Sequence, residues 1–287
     1  VHYAVPHATA AVLARSMLSS TGRPVPRIVT TLHGTDTTLL GRDPGYGPAI
    51  RHALVQSDVV TTVSHFLRDE TRRLLQLDRP IEVVHNFFTA KPARRSRGEV
   101  RRELGVADGE CLVFHSSNLR PLKRVDLLLQ AAAGAARRFA SQPRSFRLLI
   151  LAGEDIAPHV PLIESLGLAD RVIVRERVID VEEYLQACDL SLYSSETESF
   201  CLGILEGMAF GCPAVAFGVG GIPELLEDGA QGRLVPYGDV FALSAALAEL
   251  IADPRRRQAL GASARERALA RFSAAAIVPL YERLYGF

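Results

Sequence analysis

Residues 189–218 read DLSLYSSETESFCLGILEGMAFGCPAVAFG. The apolar run DLSLYSS (189–195) is a strand pattern, and PAVAFG (213–218) is a second one. Between them lies a helix-like run expected to start at about Ser199 and to stop at Gly211, a C-terminal glycine signal. Strand, helix and strand in about thirty residues make the repeating unit of a parallel sheet. Two glutamates, Glu198 and Glu206, interrupt the apolar stretch. If the helix opens at Ser199, the N–H groups of Phe200, Cys201 and Leu202 face outward with the helix dipole, a natural seat for phosphate. Glu206 then lies two turns further on, roughly 10 Å along the axis, where a carboxylate can accept hydrogen bonds from vicinal ribose hydroxyls. Glu198 sits beside whatever the phosphate carries. The plainer reading, two surface charges, fits less well, because leucines and a phenylalanine surround Glu206 and a lone buried carboxylate is costly.

Working outward, the same alternation covers most of the chain. Strand patterns recur at RIVTTLH (27–33), DVVTTVS (58–64) and IEVVH (81–85), with a helix at 64–77 for which Ser64 is the expected N-cap. A second series follows at CLVFHSS (111–117), FRLLILAG (146–153), RVIV (171–174) and GRLVP (232–236), and a helical tail runs from Phe241 to Phe287. These strands are apolar throughout, so both sheet faces are covered: a doubly wound α/β architecture. Between the two series lies TAKPARRSRGEVRRELG, polar and basic, which reads as a solvated connection and surface helix. Domain boundaries are expected at 1–92 and 93–270, with 271–287 a terminal helix packing back on the first domain.

The chain has 287 residues, enough for about two domains, and a formal net charge of +1, which gives no reason to expect nucleic acid as a partner. Four cysteines, Cys111, Cys188, Cys201 and Cys212, form neither C-x-x-C pairs nor zinc-ligand spacing, so free thiols and a cytoplasmic setting are expected. No membrane span is expected, since no apolar run approaches the roughly 20 residues one requires. The sequence leaves self-association open.

Two further stretches carry chemistry. SSNLRPLKRVDLLLQAA (116–132) follows a strand, and Pro121 is a good first helical residue, which sets Arg120 and Lys123 at a helix start. Cations are disfavoured there by about 0.3–1 kcal/mol each, and a bound diphosphate would compensate. TTLHGTD (30–36) places His33 and Asp36 in a glycine turn, a weak signal alone. GVGGIPE (218–224) does not match G-x-G-x-x-G, which counts against a nicotinamide dehydrogenase.

Together these residues resemble the retaining GT-B glycosyltransferases of family four, over nearly the whole chain. Glu198 and Glu206 match that family's E-x7-E motif, Arg120 and Lys123 its diphosphate-binding pair, and GGIPELLEDGAQGRLVPYGD a later donor-domain signature. VHYAVPHA, TTLHGTD, HNF and SSNLRPLKRV resemble most closely the subgroup that joins N-acetylglucosamine to L-malate, the first step of bacillithiol biosynthesis. The resemblance implies two Rossmann-like domains facing a cleft, the first incomplete at its N-terminus, with UDP-N-acetylglucosamine on the second domain and L-malate on the first. It implies that His33, Arg120, Lys123 and Glu198 are catalytic. Donor contacts would come from Asn118, Arg120, Lys123, Glu198, Ser199, Phe200, Cys201, Leu202 and Glu206. Acceptor contacts would come from Tyr3, Thr31, His33 and Asn86. Arg51 joins them because a guanidinium binds carboxylate bidentately. No metal and no cofactor are expected: there is no D-x-D pair, and the two cations can serve magnesium's role.

Departures from the family pattern are also legible. Family members carry further strand and helix units before VHYA, including a glycine-rich loop toward the donor. Cys201 stands where glycine is usual, and HNFFTA lacks the aspartate that commonly follows HNF. The competing readings are a family-four transferase with another sugar donor or acceptor, polysaccharide or lipid, and a UDP-sugar-binding module without activity.

Overall fold

Val29–Leu32, Val59–Thr62 and Glu82–Val83 form strands β1, β2 and β3 of a parallel sheet in that order in the computed structural model, which describes residues 1–141 and 145–286. They belong to a unit that comprises Val1–Phe87, Glu198–Phe200 and Ala274–Phe287; a second unit comprises Phe88–Thr197 and Cys201–Ser273.

In the first unit, helix α1 (Thr9–Ser20) precedes β1, α2 (Gly47–Gln56) precedes β2, and α3 (His65–Leu75) follows it. Ser64 caps α3, its hydroxyl accepting the Leu67 N–H at 3.1 Å, and Gln76 closes the helix in a left-handed conformation at φ +49°. The last carbonyls of α2 have no helical partner, and Arg79 supplies one from a distance. Its guanidinium donates to Leu54 and Val55 and, at 2.8 Å, to Ser57. A cation at a helix C-terminus is also favoured by the dipole.

The second unit contains α4 (Arg97–Glu103), β4 (Cys111–Ser117), α5 (Val125–Arg138), β5 (Phe146–Ala152), α6 (Val160–Ser165) and β6 (Val172–Glu176). There follow α7 (Glu182–Leu185), β7 (Leu190–Tyr193), α8 (Leu202–Ala209), β8 (Ala214–Phe217), α9 (Ile222–Leu225), β9 (Gly232–Val235), α10 (Val240–Ala252) and α11 (Pro254–Arg271). All six strands are parallel, in the order β6-β5-β4-β7-β8-β9. Renumbered within the unit this is 3-2-1-4-5-6, the doubly wound dinucleotide-fold order. The apolar runs sit where both faces of the sheet are covered. Leu148 and Ile150 of β5 share a core with Leu128 and Leu129 of α5 and Leu243 and Leu247 of α10, all 1% exposed or less. Burying each leucine contributes about 1.5–3 kcal/mol.

Helix α8 begins at Leu202 rather than at about Ser199, because its N-cap, Cys201, lies in the left-handed region at φ +74°, ψ +74°. Its end agrees with the glycine signal. The N–H of Cys212 reaches Gly207 O at 2.9 Å and that of Gly211 reaches Met208 O at 2.9 Å, a Schellman closure around Gly211 at φ +78°. Helix α5 likewise starts later than expected: Pro121–Lys123 is a 3-10 turn, and left-handed Arg124, φ +48°, intervenes before Val125.

The basic stretch before β4 is largely exposed, as the solvated reading expects, but it is tied down at several points. Glu183 accepts the backbone N–H groups of Arg94 and Arg95 at 2.7 and 3.0 Å, and Ser96 and Glu99 form a capping box on α4. Asp189 receives Arg97 at 2.5 Å, Arg101 at 3.0 Å and the Leu112 N–H at 2.8 Å. Arginines that look free in the sequence are thus consumed by carboxylates some 90 residues downstream. The final helix, α12 (Ala274–Tyr285), belongs to the first unit, where burial raises the Tyr281 phenol above its ordinary pKa and its ring stacks on that of Tyr285 at 5.9 Å. Phe287, the end of the expected helical tail, lies outside the described residues.

Asp189→Asn is expected to lower the unfolding free energy by about 2 kcal/mol, the size of a lost charged hydrogen bond. Urea unfolding measures it, and a loss below about 0.5 kcal/mol would contradict the anchoring role.

Candidate functional site

In a doubly wound sheet the ligand crevice opens where strand order reverses, outside the C-terminal ends of the two central strands. Here those strands are β4 and β7. The segments leaving them are 118–124 and 194–201, two of the stretches that the sequence marks for chemistry.

Hydrogen bonds tie the two segments together. Ser194 Oγ donates toward Lys123 O at 3.1 Å and Arg124 O at 2.8 Å, and the Glu196 N–H reaches Leu122 O at 2.8 Å. The turn Arg120–Lys123 is bracketed by two left-handed non-glycine residues, Leu119 at φ +54° and Arg124 at φ +48°. Arg120 is exposed, with Glu154 Oε1 3.7 Å away, and Lys123 is half-buried. The Asn118 side chain accepts the Arg120 N–H at 3.4 Å. Arg124 has other work: it grips Asp126 at 2.9 and 2.7 Å and the Tyr237 hydroxyl at 2.8 Å, and the Asp126 bonds raise its pKa.

Leu202 and Gly203 open α8 beside this turn's strand neighbour, β7. A Cβ on Gly203 would fall 2.3 Å from the Tyr193 hydroxyl and 3.0 Å from Ser116 Oγ, so only glycine lets the helix start lie this close to the strands. Glu206 is half-buried, and burial, with the charge of Glu182 second, holds its carboxyl above the ordinary value. The later helix start changes the expected geometry. Ser199 is not on the helix, and Glu206 lies about 6 Å, four residues, from Leu202 along the axis. Cys201 is 7% exposed and supplies the left-handed cap, so its backbone rather than its side chain defines the helix entrance. Arg120, Lys123, Asn118, Cys201, Leu202 and Glu206 therefore lie in one unit.

Glu198, Ser199 and Phe200 group with the other unit. Glu198 is 8% exposed, and the Phe200 ring lies 5.7 Å from that of His85, next to half-buried Asn86. In the same unit His33 follows β1. Its Nε2 lies 2.9 Å from His2 Nδ1 and its ring 4.9 Å from that of Tyr3. Burial, then the neighbouring His2, pushes its pKa down to about 4. A neutral imidazole at ordinary pH can accept or donate a hydrogen bond to a sugar hydroxyl without carrying charge. Asp36, 1% exposed, accepts the Ala4 N–H at 2.9 Å and the Gly34 N–H at 3.3 Å and so joins the His33 turn to the segment bearing Tyr3. Sequence reading noticed Asp36 but not this bracing role.

Of the other two expected acceptor residues, Thr31 pairs with the Tyr3 segment, its carbonyl accepting the Tyr3 N–H at 2.9 Å, whereas Arg51 lies on α2. Thr31 is 1% exposed and its hydroxyl accepts from Thr61 at 2.8 Å, a core position on β1. Arg51 is exposed on α2 and lines a cleft of about 430 Å³ with Ser57 and Gln76–Pro80, residues that precede β2 and β3. That is the N-terminal edge of the sheet, whereas His33 leaves the C-terminal edge.

Residues 96–267 match the model of the glycosyl transferases group 1 family, and residues 1–90 match glycosyltransferase family 4. The chain belongs to the group 1 glycosyl transferases. Among relatives of this transferase is the N-acetyl-alpha-D-glucosaminyl L-malate synthase of Bacillus anthracis, 38% identical over 99% of this chain and 73% of that protein. The D-inositol 3-phosphate glycosyltransferase of Nocardia farcinica is 35% identical over 67% of the chain and 45% of its own length. Among solved structures, Anabaena HepE in complex with UDP-glucose superposes with a TM-score of 0.81 over 98% of this chain and 77% of HepE, at 24% identity. Staphylococcus aureus TarM with UDP gives 0.75 over 91% and 51%, at 18% identity. The transferase thus has the GT-B class of fold, built from two parallel-sheet α/β units. Among the described residues, no helix is long and apolar enough to cross a membrane.

Gly203→Ala should cost about 1–3 kcal/mol by overpacking against the Tyr193 hydroxyl. Adding Tyr193→Phe should recover part of that loss. Additive destabilisation in a double-mutant cycle would contradict the close approach.

Proposed function

We propose that the protein moves N-acetylglucosamine from UDP-N-acetylglucosamine to the hydroxyl of L-malate, with retention at the anomeric carbon and without a metal ion. The observation that carries the donor side is the cationic turn Arg120–Lys123, strapped at the strand-order reversal beside the start of α8. Support for the sugar and the acceptor comes from the Bacillus anthracis relative, which covers nearly all of the chain. A cytoplasmic setting is favoured by four cysteines that are all free and buried.

In this reading the diphosphate lies against Arg120, Lys123 and the first N–H groups of α8, and the ribose hydroxyls donate to the Glu206 carboxylate. The bond between the anomeric carbon and the diphosphate oxygen breaks, and negative charge collects on that oxygen. Fixed cations aimed at this charge stabilise it more in the transition state than in the substrate. The malate hydroxyl attacks the face the diphosphate is leaving, and the departing oxygen takes its proton. Glu198 and His33 contact the sugar, and Tyr3 and Asn86 the acceptor. Thr31 holds the Tyr3 segment through its carbonyl, which accepts the Tyr3 N–H at 2.9 Å, and Arg51, which lines the cleft with Ser57 and Pro80, is left out of the acceptor site.

Mass spectrometry of products tests the acceptor directly. UDP-N-acetylglucosamine is offered with L-malate, D-malate or inositol 3-phosphate; a glycosylated product from L-malate alone is expected, and transfer to inositol phosphate alone would overturn the malate assignment.

Lys123→Ala is expected to reduce kcat by at least about 100-fold, the scale of losing one transition-state charge contact, with little change in thermal stability. Activity should persist in excess chelator. The Glu206 pKa is raised, so the ionised acceptor is lost as pH falls through a value above the ordinary 4.5. UDP affinity should therefore weaken on the acid side, beginning above pH 4.5, and Glu206→Gln should flatten that limb; calorimetry across pH checks both.

A further inference from the structure

His115 is a chemical oddity of β4: a histidine 0% exposed in the middle of an apolar strand. Both ring nitrogens are engaged. Nδ1 lies 2.9 Å from Leu192 O and Nε2 lies 2.9 Å from Ser117 Oγ. A carbonyl can only accept, so Nδ1 carries the proton and Nε2 is bare. Ser117 must then donate its hydroxyl hydrogen to Nε2. Its oxygen is left to accept, and it does so from the Leu119 N–H at 3.2 Å. Every hydrogen in the chain Leu119–Ser117–His115–Leu192 therefore has a single direction. Burial, with nearby Lys123 adding to it, pushes the His115 pKa down to about 4, so the ring stays neutral at ordinary pH and the directions hold.

This chain ends on the residue that needs holding. Leu119 sits at φ +54°, a conformation that costs a branched, bulky side chain about 1–2 kcal/mol, and it precedes Arg120 directly. Its side chain, 8% exposed, is anchored in the core of the unit. Ser194 fixes the far end of the same turn through Lys123 O and Arg124 O. The turn is thus gripped at both ends, and at its near end the Ser117 hydroxyl holds the Leu119 N–H beside the core anchor of the Leu119 side chain.

We propose that His115 and Ser117 are positioning residues for the diphosphate: by fixing left-handed Leu119 through the Ser117 hydroxyl, they set where Arg120 and Lys123 present their charges. This rests on the reading of that turn as the diphosphate seat. Neither residue touches substrate. Ser117 sits at the last position of β4, close enough to the turn to hold it, and His115 lies below, where the sheet immobilises it.

UDP and uridine binding to the full chain separate positioning from general structural damage, because uridine lacks the diphosphate. Wild type is expected to bind UDP more tightly than uridine. Ser117→Ala should lose about tenfold in UDP affinity, the scale of one ordering hydrogen bond, with uridine affinity unchanged. Ser117→Thr, which keeps the hydroxyl, should retain the wild-type value, and His115→Phe should resemble Ser117→Ala. UDP affinity within about twofold of wild type in Ser117→Ala, or equal losses for UDP and uridine, would overturn the proposal while leaving the diphosphate seat standing. Wild type that binds UDP no better than uridine would remove the seat itself.

Discussion

Between β4 and β7 the strand order of the second unit's parallel sheet reverses, and the chemistry of that unit depends on this one topological fact. Crossovers leave the two strands toward opposite sides, so the segments following them diverge and expose backbone at their common edge. Hydrogen bonds from Ser194 and Glu196 to the carbonyls of Leu122, Lys123 and Arg124 stop the divergence from becoming disorder. The result is a crevice with one cationic lip and one helix N-terminus, both fixed before any ligand arrives. Preorganised charge of this kind stabilises a departing anion without reorganisation at the moment of reaction.

Rigidity at this edge has an energetic cost that other parts of the unit offset. Leu119, Arg124 and Cys201 all adopt left-handed backbone, each at about 1–2 kcal/mol. Leu119 and Cys201 are compensated by burial, and Arg124 by its fork on Asp126 and its bond to Tyr237. The close approach of α8, which only Gly203 permits, sets the helix entrance against Tyr193 and Ser116. Strain and close packing are thus concentrated where a nucleotide would sit, while the arginine-rich segment before β4 secures the opposite, N-terminal edge through Asp189 and Glu183.

Much of this architecture is legible in the chain. The run at 111–117 folds as a strand over its full length, and Gly211 ends α8 where glycine chemistry demands. Ser64 caps α3 because serine before a helical pattern has few better uses. What stays hidden is set by tertiary contacts. Nothing local marks Arg124 or Cys201 as left-handed, so both helices read as starting three or four residues early. The arginines at 95, 97 and 101 look solvated because their carboxylate partners lie some 90 residues away. Arg51 has the right chemistry for a carboxylate, but chemistry does not say which cleft a side chain lines. The group 1 glycosyl transferase family was visible in the E-x7-E spacing and the Arg/Lys pair, while the geometry of that spacing was not.

A crystal structure with UDP bound tests the central claim most directly. The account predicts phosphate oxygens within hydrogen-bond distance of the Lys123 ammonium, the Arg120 guanidinium and a first-turn N–H of α8, with the ribose on Glu206. A nucleotide bound anywhere else, with the crevice between β4 and β7 occupied only by solvent, would contradict it.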